Sequence, residues 1–150
     1  MKFRLIIDQN HDEEIVATVK KRNELIDYIQ ALVEENANEL IGYLDNQIVK
    51  IGINDIECIY SQEGKTYVVY VDSKTYQIKK RLYEVEQILP PTFMRINKSA
   101  IANNTKIKRF ITTITGSVNV EFKSGYVDYV SRRCFSQIKR SYNLWLKNLY

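Results

Sequence analysis

Apolar residues in this chain recur mostly in short runs that alternate with polar positions, and turn-forming residues separate the runs. Alternation of this kind is typical of half-buried strands. From Glu39 onward the pattern therefore predicts a largely antiparallel β domain. The predicted strands cover residues 39–44, 47–51, 56–61, 66–71, 75–78, 106–114, 117–122 and 126–130, and the turns include Asp45-Asn46, Gly64, Gly116 and Ser124-Gly125.

Two peripheral helices are predicted beside these strands. Leu82, Val85 and Ile88 fall on one side of a helix over residues 80–89, and Pro90-Pro91 ends it because proline cannot continue a helix. Ser131 is a suitable N-cap for a final helix that runs toward Leu149. The predicted fold class is mainly β (α+β), with short helices at the periphery.

The N-terminal residues predict a small module of a different character. Residues 3–7 and 14–19 have strand patterns, and residues 23–35 have apolar positions at helical spacing with Asn23 as N-cap. We therefore divide the chain into an acidic module over residues 1–38 and a main domain over residues 39–150. The module is expected to support dimer formation, to pack against the β domain, or to meet a regulatory protein.

Charge is distributed unevenly along the 150 residues. Residues 1–46 carry five Lys/Arg and ten Asp/Glu, whereas residues 47–150 carry seventeen and eight. The second part thus has a net charge of +9, which is the electrostatic pattern of a polyanion-binding domain. A basic surface that serves only solubility is the alternative.

Cys58 and Cys134 have no Cys-x-x-Cys spacing, and we interpret them as reduced thiols of a cytoplasmic protein.

The residues that catalysis requires do not occur in suitable patterns. His11 is the single histidine, and the five glycines are isolated, so neither a catalytic triad nor a glycine-rich phosphate loop is indicated. The carboxylate clusters Asp12-Glu13-Glu14 and Glu34-Glu35 are interpreted as solvated charge. We expect no enzymatic activity, no cofactor, no metal and no small-molecule substrate.

Residues 93–103 are the most informative segment. Arg95 and Lys98 are cations, and Asn97, Ser99 and Asn103 supply amide and hydroxyl groups, while single apolar residues between them hold the segment on a core. Such donors suit DNA phosphates and base edges. The segment is predicted to be a polar loop with apolar anchors.

These residues belong to an ordered series that resembles the LytTR DNA-binding domain of bacterial transcription regulators. The series comprises residues 55–60, the helix over residues 81–89, the segment over residues 93–103 with Ile107 after it, Ser124-Gly125, and Ser131-Arg132-Arg133. Asn97 stands where that family often has His. The resemblance implies an elongated, sandwich-like β fold that inserts loops, instead of a recognition helix, into successive major grooves, often on paired direct repeats.

The resemblance also implies which residues contact DNA. Base contacts fall at Lys65-Thr66, at Lys98 and at Arg133. The predicted backbone contacts are Lys79, Lys80, Arg81, Arg95, Asn97, Ser99, Asn103 and Arg132. Three alternatives remain open: Arg95 could pair with a carboxylate, Asn103 could cap the loop internally, and the run from Lys79 to Arg81 could be a solvated face.

The resulting prediction is a cytoplasmic, sequence-specific regulator that binds double-stranded DNA, as a homodimer at least on DNA. Residues 1–38 are too short for a phosphoacceptor receiver domain, and the resemblance implies control by a membrane-bound inhibitor protein. Two other functions remain as alternatives. One is an adaptor whose basic face meets an acidic partner or an anionic membrane, and the other is a single-stranded nucleic-acid binder that stacks bases on its tyrosines.

Overall fold

The computed structural model describes residues 2–12, 14–33 and 39–148, which fall into two units, Met1–Ala37 and Asn38–Tyr150. In the first unit, helix α1 spans Glu24–Val33. The Ile26 N–H donates a hydrogen bond of 3.0 Å to Asn23 Oδ1, so Asn23 is the N-cap, as the sequence predicts. Residues 34–38, which include the predicted end of this helix and the predicted domain boundary, lie outside the described residues.

The two strands predicted in the N-terminal module are wrong. Residues 3–7 and 14–19 are not in strands. Phe3 is 91% exposed and Ile7 is 86% exposed, so the apolar side chains of the first segment pack on no sheet. An isolated pair of strands is at best marginally stable, and the alternating pattern alone does not supply the further strand or helix that it needs.

Seven antiparallel strands form the main sheet of the second unit, in the order β2-β1-β5-β4-β3-β7-β6. Their bounds are β1 Glu39–Leu44, β2 Gln47–Gly52, β3 Ile56–Gln62, β4 Lys65–Tyr70, β5 Thr75–Ile78, β6 Phe93–Asn97 and β7 Ala100–Asn103. A three-stranded sheet, in the order β10-β9-β8, consists of β8 Ile107–Thr112, β9 Val118–Phe122 and β10 Val127–Val130.

Two helices complete the unit. Helix α2 spans Leu82–Ile88 and helix α3 spans Arg132–Asn148. Ser131 caps α3, because its Oγ accepts a hydrogen bond of 3.2 Å from the Cys134 N–H. The predicted start of this helix is confirmed, and Leu149 lies outside the described residues. Among the helices within the described ranges, none combines the length and apolar character needed to cross a membrane.

Each face of the main sheet has its own core. One core joins residues such as Ile59, Val68 and Ile101 to Leu82 and Val85 of α2. The other packs Cys58, Val69, Ala100 and Ala102 against Val120 and Phe122 of the small sheet and Ile138 of α3. Adjacent residues of one strand thus face different cores, so a strand that is buried on both faces has a continuous apolar run in the sequence. The predicted mainly β class is confirmed.

Residues 93–103 form a hairpin, where the sequence indicated a polar loop. Strands β6 and β7 pair from Phe93↔Asn103 to Asn97↔Ala100, and only Lys98 and Ser99 connect them. The shift in register between Arg95 and Asn97 interrupts the alternation. For this reason the pattern of the segment did not predict two strands.

Candidate nucleic-acid interface

Two hairpin turns lie at the same edge of the main sheet. Strand β3 pairs with β7 in antiparallel fashion, with Tyr60 opposite Ala100, so the end of β3 lies beside the start of β7. A main-chain hydrogen bond of 2.8 Å from Ser61 N, near the end of β3, to Ser99 O joins β3 to the Lys98-Ser99 turn. The turn after β3 and the Lys98-Ser99 turn can therefore face one ligand together.

After the turn between β3 and β4, the side chain of Lys65 is exposed and the side chain of Thr66 is buried. Glu63 and Gly64 both have positive φ, 51° and 76°, as in the two-residue type I′ turns that suit hairpins. Lys65 is exposed, but Thr66 is only 5% exposed and faces the core side of β4. Alternation along the strand turns these adjacent side chains to opposite sides, so the buried side chain of Thr66 is not presented for the predicted base contact.

Lys98 stands at the tip of the β6–β7 hairpin with an exposed side chain, and hydrogen bonds fix the main chain around it. Arg95 Nη1 donates to Lys98 O at 2.7 Å, and the Ser99 N–H donates to Asn97 Oδ1 at 2.8 Å. The turn is thus held in one conformation while the Lys98 ammonium extends from it.

Arg133 lies next to this turn in space, although it is 35 positions away along the chain. A main-chain hydrogen bond of 2.8 Å from Ser131 N to Ile96 O joins the start of α3 to the β6–β7 hairpin. Lys98 and Arg133 line the same surface depression, together with Tyr129 and Gln137. Arg132, also exposed, lines a neighbouring depression beside the β8–β9 turn.

The three cations predicted to read bases are available for a ligand. In the part of the chain that the structure describes, no ion pair involves the side chains of Lys65, Lys98 or Arg133. Their charges are therefore not neutralised by a neighbouring carboxylate, and a polyanion at this edge would meet all of them as donors.

The basic run from Lys79 to Arg81 extends the same edge. Strand β5 ends at Ile78, which pairs with Thr66 beside the β3–β4 turn, so the run begins next to Lys65. Lys79, Lys80 and Arg81 are all exposed. Lys79 Nζ lies 4.9 Å from the centre of the Tyr43 ring, a cation–π contact that places this ammonium without neutralising it.

Arg95 and Asn97 are used internally, contrary to the prediction of backbone contacts. Arg95 Nε and Nη2 donate to Glu86 Oε2 at 3.1 and 2.8 Å, which is the carboxylate pairing left open as the alternative. Asn97 is 2% exposed, and its Nδ2 donates to Tyr129 O at 2.8 Å. A buried amide must satisfy its hydrogen bonds within the protein, so Asn97 is not positioned as a phosphate donor, and the guanidinium of Arg95 is engaged by Glu86 and Lys98 O.

Asn103 is also hydrogen-bonded within the fold, which agrees with the alternative that it caps the loop internally. It is 1% exposed, and its Nδ2 donates to Ile56 O at 2.9 Å. Its Oδ1 accepts from Thr105 N at 3.1 Å and from Thr105 Oγ1 at 2.8 Å. Ser99 is partly buried, and its main chain is already bonded to Asn97 and Ser61.

The sequence pattern does not indicate the role of two carboxylates that hold residues near the β6–β7 hairpin and the β9–β10 turn. Glu86 holds Arg95, as described above. Glu57 is 1% exposed and lies at a shift in the β3–β4 register, and its carboxylate accepts hydrogen bonds from the Ser124 N–H and Ser124 hydroxyl in the β9–β10 turn. Glu86 is nine positions from Arg95 and Glu57 is 67 positions from Ser124, and neither spacing corresponds to a helical or strand repeat that would indicate the pair.

The two cysteines differ in environment, and we expect them to differ in reactivity. Burial raises the pKa of the Cys58 thiol well above its usual value, so little reactive thiolate forms at neutral pH. Cys134 is only partly buried at the start of α3. In the native protein, iodoacetamide at pH 7.5 should modify Cys134 first and Cys58 only after unfolding, as read by mass spectrometry of peptides. Equal native rates would contradict this difference.

The β scaffold presents exposed cations on two turns and at the start of α3, which is the kind of surface that a polyanion-binding domain needs. Comparison with known proteins specifies the class. Residues 46–143 match the LytTr DNA-binding domain family, so the chain belongs to that family and is a DNA-binding transcription regulator.

Individual relatives agree with this assignment. An uncharacterised HTH-type transcriptional regulator of Staphylococcus aureus strain NCTC 8325 is 30% identical over 142 residues, and the match covers 93% of this chain and 96% of that protein. A second one, from strain MRSA252, is 29% identical over 145 residues with the same coverage. A solved LytTr DNA-binding domain of a response regulator from Bacillus cereus superposes with a TM-score of 0.63 at 21% identity, covering 69% of this chain and 94% of that one, and so shares the fold.

Proposed function

We propose that the chain is a sequence-specific regulator that reads the major groove of double-stranded DNA with two hairpin turns and the start of α3. Lys65, Lys98 and Arg133 are the base-reading residues in this proposal. The observation that carries it is the convergence of Lys98 and Arg133 on one depression, with Lys65 at the same sheet edge. Arg and Lys are the side chains best suited to guanine O6 and N7.

Phosphate contacts are assigned to a second group of cations around these turns. Lys79, Lys80, Arg81 and Arg132 are exposed; the run from Lys79 begins beside Lys65 through the β4–β5 pairing, and Arg132 precedes Arg133 in the chain. Main-chain and side-chain donors to phosphate fix the register of a protein on duplex DNA without reading its sequence. We assign no DNA contact to Thr66, Asn97 or Asn103, because all three are buried.

The proposed reading of DNA bases by hairpin turns differs from the helix-turn-helix motif that appears in the names of the relatives. Within the described ranges, α1 and α2 are separated by five strands, and α2 and α3 by another five. A helix-turn-helix needs two helices joined by a short turn. In this proposal, the β3–β4 turn, the β6–β7 turn and the first turn of α3 have the role that a recognition helix has in that motif.

The two alternative functions receive less support. Tyr60 stacks on Tyr67 and Tyr126, with ring centres 5.4 and 6.0 Å apart, so these rings are already occupied and do not form a free stacking platform for single-stranded bases. The basic face of an adaptor would bind acidic surfaces without base preference. Duplex competition distinguishes this adaptor from a sequence-specific regulator.

Selection of bound duplexes from a random pool tests the proposed function. We expect enrichment of two direct repeats, spaced by about one helical turn of 10–10.5 base pairs, because two copies of a turn-based reader on one face of DNA repeat with its pitch. Bound complexes should contain two protein chains by light scattering. Enrichment of no sequence, or equal competition by single-stranded DNA, would contradict the proposal.

The remaining assignments concern the cellular setting. We infer that the protein acts in the cytoplasm as a homodimer on DNA, without catalysis, cofactor or small-molecule substrate. We further propose that residues 1–38 form a separate module for dimerisation or regulation, and that a membrane-bound inhibitor protein controls the regulator. Exposed apolar residues in the module, including Leu5, Ile7 and Val16, support a role in protein contacts.

A further inference from the structure

Arg95 connects helix α2 to the main chain of the Lys98 turn. Its Nε and Nη2 donate to Glu86 Oε2 on α2, and its Nη1 donates to Lys98 O at 2.7 Å. The guanidinium thus uses both sides of its planar fork, one for a carboxylate and one for a carbonyl. A lysine has no rigid fork with which to reproduce this geometry.

The Lys98-Ser99 turn has two further constraints, and both come from other elements. Asn97 Oδ1 accepts from the Ser99 N–H at 2.8 Å while its Nδ2 is anchored on Tyr129 O in β10. Ser61 N in β3 donates to Ser99 O. Arg95 supplies the hydrogen bond that fixes the Lys98 carbonyl itself, which is the group closest to the side chain that extends toward DNA.

We propose that Glu86 and Arg95 are a positioning pair that sets the direction of the Lys98 side chain for base readout. The inference rests on the proposed function of Lys98. Neither residue of the pair needs to touch DNA: Arg95 has a side chain that is only 28% exposed and is occupied by Glu86 and Lys98 O. A base contact depends on geometry within a fraction of an ångström, so loss of the brace reduces discrimination between bases more than it reduces general affinity.

Arg95→Lys is the first test. The variant keeps the positive charge, so binding of the full 150-residue chain to a scrambled duplex should stay within about twofold, because phosphate attraction follows charge. The ratio of affinities for the selected duplex over the scrambled duplex should fall by about five- to tenfold. Arg109→Lys is the matched control, because Arg109 makes a similar pair with Glu121 on the small sheet at 2.8 Å, and it should leave the ratio unchanged.

A charge exchange separates positioning from stability. In the double variant Glu86→Arg/Arg95→Glu, the ion pair can re-form. Its unfolding midpoint should therefore be higher than that of either single variant. A carboxylate at position 95 cannot donate to Lys98 O, however, so the affinity ratio should remain low. Recovery of the ratio together with the midpoint would show that Arg95 only stabilises the fold and would overturn the proposal.

Lys98→Ala distinguishes failure of the pair from failure of the proposed function. A lower affinity ratio in Lys98→Ala with an unchanged ratio in Arg95→Lys would overturn the positioning role and leave base readout by Lys98 intact. An unchanged ratio in Lys98→Ala would overturn readout by Lys98, and the positioning role with it.

Discussion

Replacing Arg133 by alanine is expected to weaken binding to the selected duplex by about 1–3 kcal/mol and to relax preference at one base pair. Arg133 lies in the first turn of α3 and lines a depression with Lys98, and within the described residues no carboxylate pairs with it. Its two-donor fork matches guanine O6 and N7. Affinities for duplexes with single base changes, measured at one fixed salt concentration, check this expectation.

Arg132→Ala is the matched control for that experiment, because it removes the same charge one residue earlier. We assign Arg132 to a phosphate, so its loss should weaken selected and scrambled duplexes alike. It should also make the slope of log affinity against log salt shallower by about one unit. If both variants weaken all duplexes equally, Arg133 is a phosphate contact and does not read a base.

Replacing Asn103 by aspartate is expected to destabilise the β domain by about 2–4 kcal/mol, because a buried group then loses its donor and gains a charge. The Asn103 amide donates to Ile56 O at 2.9 Å, and a carboxylate there would repel that carbonyl. Urea unfolding followed by circular dichroism measures the loss. Asn46→Asp, the same change in the exposed first hairpin turn, should alter stability by less than about 0.5 kcal/mol.

DNA binding by the folded Asn103→Asp protein tests whether Asn103 supports the fold or contacts a DNA phosphate. If Asn103 only supports the fold, the variant should bind selected DNA with nearly parental affinity under conditions where it is folded. A phosphate contact would instead produce weaker binding with unchanged stability, because the new negative charge would repel DNA. That outcome would restore the phosphate alternative for Asn103.

Short apolar runs predicted most strands of the main domain, though not β6 and β7, because several strands are buried on both faces against two separate cores. Val68 and Val69 are adjacent and both buried, yet each belongs to a different core. Such a strand is readable from sequence as a short apolar run. The two N-terminal segments have a similar pattern, but a pattern describes what a strand would bury and does not provide the sheet that buries it.

The candidate site was predictable to the extent that its residues are exposed. Lys65, Lys98 and Arg133 were assigned through the family resemblance, and all three stand exposed at turns or at a helix start. Asn97 and Asn103 were assigned to DNA because their amides suit phosphates. Their actual partners, Tyr129 O and Ile56 O, lie 32 and 47 positions away along the chain, and no local spacing encodes such distances.

Main-chain hydrogen bonds, from Ser61 to Ser99 and from Ser131 to Ile96, join the three elements that we propose face DNA. Side chains at positions 65, 98 and 133 take no part in these bonds. The spacing of the contacts and their chemistry are thus independent properties of the domain. In the proposed mode of binding, mutation at those three positions changes which operator is bound while the footprint on DNA keeps the same length, so operator preference diverges among paralogues without any redesign of the scaffold.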